Sequence, residues 1–472
     1  MAGLEQLSRA QLLLVVTEQA AQLQVQAGQI EVLTGQVVEL TRRLAMNSSN
    51  SSLPPSKDGF AKPSRAQRRA SGRKPGKQPG APGSALERVA DPDEVIEHRP
   101  RSCAGCGEGL VDADSVGVTV RQVRDVPLVT VSVTEHRLHR LACGCGQVTV
   151  APAPAGVDGP VVYGPNLRAI AVYLVVFQHV PVERAALLIS DLTGASVSTG
   201  WVSAQVARCA DALVDVEALI KTLVSLAAVI GVDETTVNVG GAKQWLHVGR
   251  TDAYTAYWLH PRRGRAAVDA FGILPGYTGT VVHDALAVYD SYPATHALCG
   301  AHLLRELIAV AETDPDLLWP IQARQALLAL NSAARTARDN GQAAIDTDTL
   351  TTELARYRHA VLVGLADHPR AAGRKQSKAR NLLERMRDRQ PEILRFAHHL
   401  TVPFTNNGSE RDLRPVKTQL KISGCHRASN GATNWLRIRG YISTVRKHHH
   451  DVLTALRDAI TGNPWQPPQP AT

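Results

Sequence analysis

LAAVIGVDETTVNV, residues 226–239, sets the architecture of this chain. Its β-branched apolar run reads as a buried strand that delivers Asp233 near its end, because polar residues follow the apolar ones. TGTVVHDALAVYD, residues 278–290, repeats the pattern and ends its apolar run at Asp284. A third acid, Glu410, opens a helix start within NNGSERDLRPVKTQLKISG, residues 406–424. Taken singly, an acid after a strand is more often a solvated turn residue. Three together could hold two Mg²⁺ (or Mn²⁺) ions about 3.5–4 Å apart, the arrangement that activates one oxygen and stabilises another at a phosphodiester. Asp290 and Asp412 are the nearest rival acids.

The order of elements supports the joint reading. After Asp233 come strand-like 244–250 and 254–259, a helix-like stretch 265–273, then the strand ending at Asp284. Three antiparallel strands, a crossover helix and a parallel fourth strand make the core of a ribonuclease H-like α/β fold, in which the first and fourth strands lie side by side.

The motifs GVDETTVNV, QWLHVGRT, VHDALAVYDSY, HALCGAHLLREL, VPFTNNGSERDLR, KISGCHR and IRGYISTVRK span most of 229–447. In this order they resemble a DDE transposase of insertion-sequence family 66. The resemblance implies that Asp233, Asp284 and Glu410 are the catalytic acidic triad. It further implies cleavage of DNA at element ends, strand transfer into target DNA, and accessory proteins encoded by the same element. One departure is local: the family commonly has Gly-Trp after the second acid, where this chain has Ala285 and Leu286.

At 472 residues the chain exceeds one hydrophobic core. No apolar run reaches the roughly 18 residues of a membrane span, and the N-terminus lacks a secretion signal, so a cytoplasmic, nucleoid-associated protein without a membrane partner is expected. A net charge of +9 favours a polyanionic partner such as DNA.

Residues 1–46 carry Val16, Leu23, Ile30, Val37 and Leu44 at seven-residue spacing, with Leu12, Leu33 and Leu40 on the companion row and Gln19 and Gln26 interrupting it. That pattern predicts a coiled coil and hence a homo-oligomer; the alternative is a helix packed on its own domain. Residues 47–85 form a Ser/Pro/Gly-rich linker whose Arg68, Arg69, Arg73 and Lys74 make either a phosphate-contacting arm or a solvated spacer. Within 86–155, Cys103 and Cys106 and then Cys143 and Cys145 form two knuckles able to supply four thiolates to a structural Zn²⁺, with strand-like 118–133 between them. Cys209 and Cys425 read as space-filling.

Residues 159–225 are helical, and 181–207 hold a helix, a Thr-Gly turn and a Ser-initiated second helix: a DNA-reading helix-turn-helix or two packed helices. The catalytic domain is assigned to 226–447, interrupted by an all-helical insertion at about 303–400. Cys299 and His302, with His296 before them, are placed on one helical face as an accessory pair or a satisfied internal contact. Arg411, Arg414, Lys417 and Lys421 follow the third acid and read as DNA contacts or a solvated face. A helix and a disordered tail complete 448–472. The competing functional readings are a DNA-binding regulator or inactive element remnant, and a repair nuclease, which would need neither the zipper nor the basic arm.

Overall fold

A computed structural model of the chain describes residues 8–46, 87–126, 129–373 and 375–469. Two compact units divide the chain, one of residues 60–131 and one of the remainder. Among the described residues no helix is long and apolar enough to cross a membrane.

In the larger unit, β1 (Arg140–Ala142) and β2 (Val148–Val150) form a small antiparallel hairpin. A mixed five-stranded sheet follows, built from β3 (Val229–Val239), β4 (Ala242–Arg250), β5 (Thr255–His260), β6 (Thr280–His283) and β7 (Thr295–Leu298), in the order β5-β4-β3-β6-β7. β3 and β4 pair antiparallel from Gly231↔Arg250 to Val239↔Ala242. They turn through Gly240 and Gly241, whose φ values of 59° and 81° suit a tight two-residue hairpin. A short helix (Arg265–Phe271) crosses from β5 to β6, which then lies parallel to β3. The expected three antiparallel strands, crossover helix and parallel fourth strand are thus all present.

The fifth strand corrects one expectation. Residues 295–298 pair parallel with β6, so His296 belongs to a strand and the helix begins only at Gly300. His296, Cys299 and His302 therefore do not share a helical face, because the ladder with β6 claims the segment first.

Helices Pro165–Val172, Val182–Thr193, Thr199–Ala212 and Val214–Leu226 precede the sheet. Gly194, at φ 74°, ends the second of these, and the Ser198 hydroxyl accepts the Trp201 N–H at 3.1 Å to start the third. That is the left-handed stop and hydroxyl cap the residue types prescribe. Six helices between Gly300 and His398 make the insertion. It has its own core of Trp319, Leu327, Leu330, Tyr357, Leu382 and Met386, continuous with Val282 and Ala297 of the sheet. After it come Asn407–Ile422, Ser429–Lys447 and Val452–Ile460. The last two join the sheet's other core through Ile438, Ile442, Val445 and Leu456. Arg9–Ala45 is one continuous helix, and Val16, Leu23, Ile30, Val37 and Leu44 are exposed along it.

Three further expectations are corrected. None of the described residues in 118–133 lies in a strand, and Val118, Val123 and Val133 are 72%, 92% and 91% exposed. Alternating valines need a partner strand for their backbone groups, and none among the described residues pairs with them. Cys425 is exposed rather than space-filling, whereas Cys209 is fully buried. The C-terminal segment is packed rather than disordered in its described part: the Trp465 ring stacks on His450 at 5.5 Å, and the Tyr254 hydroxyl donates to the Pro468 carbonyl at 2.7 Å.

Candidate active site

β3 and β6 run parallel with Gly231 opposite Val282. Two residues further along each chain stand Asp233, in the middle of β3 and paired with Val248 of β4, and Asp284, just past the end of β6, so the register brings them level. The expectation that Asp233 lies near the end of its strand is corrected, because β3 runs on to pair with β4. Glu410 lies in the first turn of the helix Asn407–Ile422, which packs on β3 and β4. The three acids from distant segments are thereby brought to one part of the sheet.

A single junction fixes their mutual position. The buried Asn406 donates from Nδ2 to the Val232 carbonyl at 2.7 Å and accepts the Ser409 hydroxyl on Oδ1 at 2.7 Å. Its backbone N–H donates to Cys299 Sγ at 3.1 Å, and the Cys299 N–H donates to the His283 carbonyl at 2.8 Å. Val232, His283 and Ser409 each immediately precede one of the acids. Gly231 permits the approach, since a Cβ there would lie 2.6 Å from Asn406 Oδ1 and 2.7 Å from Ser409 Oγ. Cys299 thus acts as a hydrogen-bond acceptor in the scaffold. It and His302 also line a small cavity of about 20 Å³ beside Asp284, room for about one water molecule and far too little for a base.

Burial, followed by the charges of Glu234 and Asp284, pushes the Asp233 carboxyl up to about 8. Crowded acids that cannot all ionise are the electrostatic environment a cation relieves. The fit is incomplete in one respect: oxygens of Asp233, Asp284 and Glu410 do not gather within 4.8 Å of one another. Among the described residues only His283, Asp290 and His296 meet that condition.

Those three groups are already engaged. The Ala285 N–H can only donate, so His283 Nδ1 accepts it at 3.2 Å and its Nε2–H donates to His296 Nδ1 at 3.1 Å. His296 Nε2–H then reaches the Tyr292 carbonyl at 3.2 Å. Both rings are neutral in this relay, in keeping with a His283 pKa lowered to about 3 by burial and by the neighbouring His296. Asp290 is ion-paired with Arg389 at 2.7 Å, and Asp412 with Lys447 at 3.0 Å, which occupies both rival acids.

The structure adds residues that the sequence did not single out. Glu234, its side chain 2% exposed, is held by Arg263 at 2.6 Å and accepts the Tyr289 hydroxyl at 2.5 Å. Two consecutive acids in an apolar strand were the available signal, since alternation must send them to different surroundings. Arg305, from the first helix of the insertion, lies 3.6 Å from Glu410. Ala285 takes φ 69°, a left-handed conformation that costs a non-glycine residue roughly 1–2 kcal/mol. The expected family pattern has glycine at this position.

Arg411, Arg414, Lys417 and Lys421 are all exposed, at spacings of three and four that put them along one face of the Glu410 helix. Arg68, Arg69, Arg73 and Lys74 lie outside the described residues. Each cysteine knuckle is a closed turn in its own unit: the Gly107 N–H donates to the Cys103 carbonyl and the Gly146 N–H to the Cys143 carbonyl, each at 2.9 Å. Backbone N–H groups of Cys106 and Cys145 lower the Cys103 and Cys143 thiols respectively, favouring thiolate. All four thiols are free.

Residues 160–434 match the family described as transposase IS66, and 100–146 match the zinc-finger binding domain of transposase IS66. Residues 8–87 match a family of unknown function (DUF6444). No curated protein matches the chain.

Two outcomes test this geometry. Asn406→Ala leaves the Val232 carbonyl and the Ser409 hydroxyl without their partner, and is expected to lower stability by roughly 1–3 kcal/mol in urea unfolding. For Asp233 the folded pKa lies above the unfolded one, so its contribution is present below about pH 4 and is lost as pH rises through about 8. Metal-free protein should therefore lose stability across that window, by at most about 1.4 kcal/mol per pH unit. Urea midpoints at pH 5 and 7.5 should show a flatter response for Asp233→Asn; identical slopes would remove Asp233 as the titrating group.

Proposed function

The chain belongs to the transposase IS66 family, and from that premise we propose that it cuts DNA at the ends of a mobile element and joins the freed 3′ ends to target DNA. The observation that carries the proposal is the parallel register of β3 and β6, which sets Asp233 and Asp284 level. Strand order supports reading the sheet as a ribonuclease H-like core, with the insertion between the second and third acids.

Asp233, Asp284 and Glu410 are the residues that would hold Mg²⁺ or Mn²⁺. The chemistry a divalent cation supplies there is activation of an attacking oxygen and stabilisation of a leaving one. In the first reaction water attacks a phosphorus at the element end, and the bond to the 3′ oxygen breaks to leave a 3′ hydroxyl. In the second, that hydroxyl attacks a target phosphorus and displaces another 3′ oxygen. The basic row on the Glu410 helix would neutralise backbone phosphates beside the cut. Arg305 pairs with Glu410 before DNA arrives and is placed to exchange that partner for a phosphate. The exposed seam of the N-terminal helix would pair with a second copy, bringing two ends together by raising effective concentration.

The zinc-finger domain supports a structural zinc, and we assign its ligands as Cys103, Cys106, Cys143 and Cys145. Purified protein should contain one zinc per chain by elemental analysis, and Cys103→Ser or Cys145→Ser should release it. Metal-free preparations made without chelator would overturn the assignment.

For the acids, Asp233→Asn, Asp284→Asn and Glu410→Gln should each lower Mg²⁺-dependent cleavage by roughly a thousandfold, the loss of several kcal/mol of charge stabilisation. Binding of duplex ends should survive. A variant that still cuts at the wild-type rate removes its residue from the site.

A further inference from the structure

A second site lies in the same unit, away from the three acids in sequence and built from different elements. The helix beginning at Pro165 passes at Tyr173 into a π-turn, Tyr173–Phe177, in which the Gln178 N–H reaches back five residues to the Tyr173 carbonyl at 3.1 Å. Single π-turns are rare and frequently found at functional sites; this one closes the helix. Here the result is an aromatic wall, with the Tyr173 and Phe177 rings 5.2 Å apart. Facing it are Arg446 at the end of the helix Ser429–Lys447, then His449, His450 and Asp451 in the turn that follows. Together they enclose an open cavity of about 440 Å³, within the range of roughly 300–1,000 Å³ that holds small organic ligands.

The charge around the wall is one-sided. The Arg446 and Arg439 guanidinium carbons lie 5.2 and 5.0 Å from the centre of the Phe177 ring. Arg439 Nε is buried and without a hydrogen-bond partner. Asp451 is the carboxylate in the lining, and it is committed to the next helix, accepting the Thr454 N–H at 2.7 Å. The backbone is also strained at one lining residue. Of the three described non-glycine residues with positive φ, His449 lines this cavity, at 56°. Strained conformations of this kind persist where a surrounding site imposes them.

We propose that this cavity binds an unpaired nucleotide of a DNA strand, its base against the Tyr173 ring beside Phe177 and its phosphate against Arg446 and His449. Base stacking on an aromatic platform beside a cationic groove is how single strands are held irrespective of sequence. Duplex DNA keeps its bases stacked inside and cannot use such a wall. The proposal rests on the reading of the chain as a DNA-handling protein, and its substrate class is narrower than that reading requires.

The test uses the full-length protein and two probes without added Mg²⁺: a fluorescent ten-nucleotide oligothymidylate and a duplex of the same length. A single strand carrying 5-iodouracil, photocrosslinked and mapped by peptide mass, should attach at Tyr173 or Phe177. Arg446→Ala, at an exposed position, should weaken single-strand binding roughly tenfold and leave duplex binding within about twofold. The proposal fails if the wild-type protein does not bind the single strand, if crosslinks fall only elsewhere, or if Arg446→Ala weakens both probes equally. Cleavage of duplex ends with Mg²⁺, assayed in parallel, separates this outcome from the proposed activity. Protein that cuts ends yet crosslinks elsewhere loses the pocket alone; protein that crosslinks at Tyr173 but cuts nothing loses the activity alone.

Discussion

The placement of the residues that precede the three acids depends on the hydrogen bonds of one buried amide. Asn406 ties Val232, Ser409 and, through Cys299, His283, so the residues before Asp233, Glu410 and Asp284 share one anchor. Such a junction is effective because each partner is backbone or fully buried and has no alternative donor in water. It also dictates the neighbours: Gly231 must lack a side chain, and Gly300, where a Cβ would meet the Phe404 ring at 2.2 Å, must do the same at the start of the insertion. The insertion is thereby clamped to the site on both sides, through Cys299 where it begins and through Phe404 and Asn406 where it ends.

A second brace holds the Glu410 helix further along, at Asp412. Lys447 donates to Asp412 at 3.0 Å and to the Thr251 and Tyr254 carbonyls at 2.9 Å each. Burial lowers its pKa to about 8, although Asp412 acts in the other direction. The helix start is thus located by a neutral amide network, and its second turn by a buried charge network.

Sequence made the strands beside Asp233 and Asp284 legible because strand periodicity and the β3–β6 connection are local or topological properties, but it did not show that β3 runs on past Asp233 to Val239 to pair with β4. The Ser198 cap, the Gly194 stop and the helical insertion were legible for the same reason. What sequence did not show depends on partners far away in the chain. Residues 295–298 carry no strong strand pattern and become a strand only beside β6. Trp465 looks like part of a Pro-rich tail until His450 and Tyr441 receive its ring. The valines of 118–133 show the converse, a strand-like pattern that no strand among the described residues completes. Cys299 and His302 drew attention by spacing, yet the contact that matters, Cys299 Sγ with the Asn406 amide, links residues 107 apart.

The pairing of Glu410 with Arg305 bears on how so acidic a site could meet a polyanion. With one carboxyl countered by a guanidinium and Asp233 holding its proton near neutral pH, the site presents far less negative charge than three acids suggest. On the proposed function, backbone phosphates would then meet less repulsion along the exposed basic row, and a dication and DNA would each lower the charge the other has to meet.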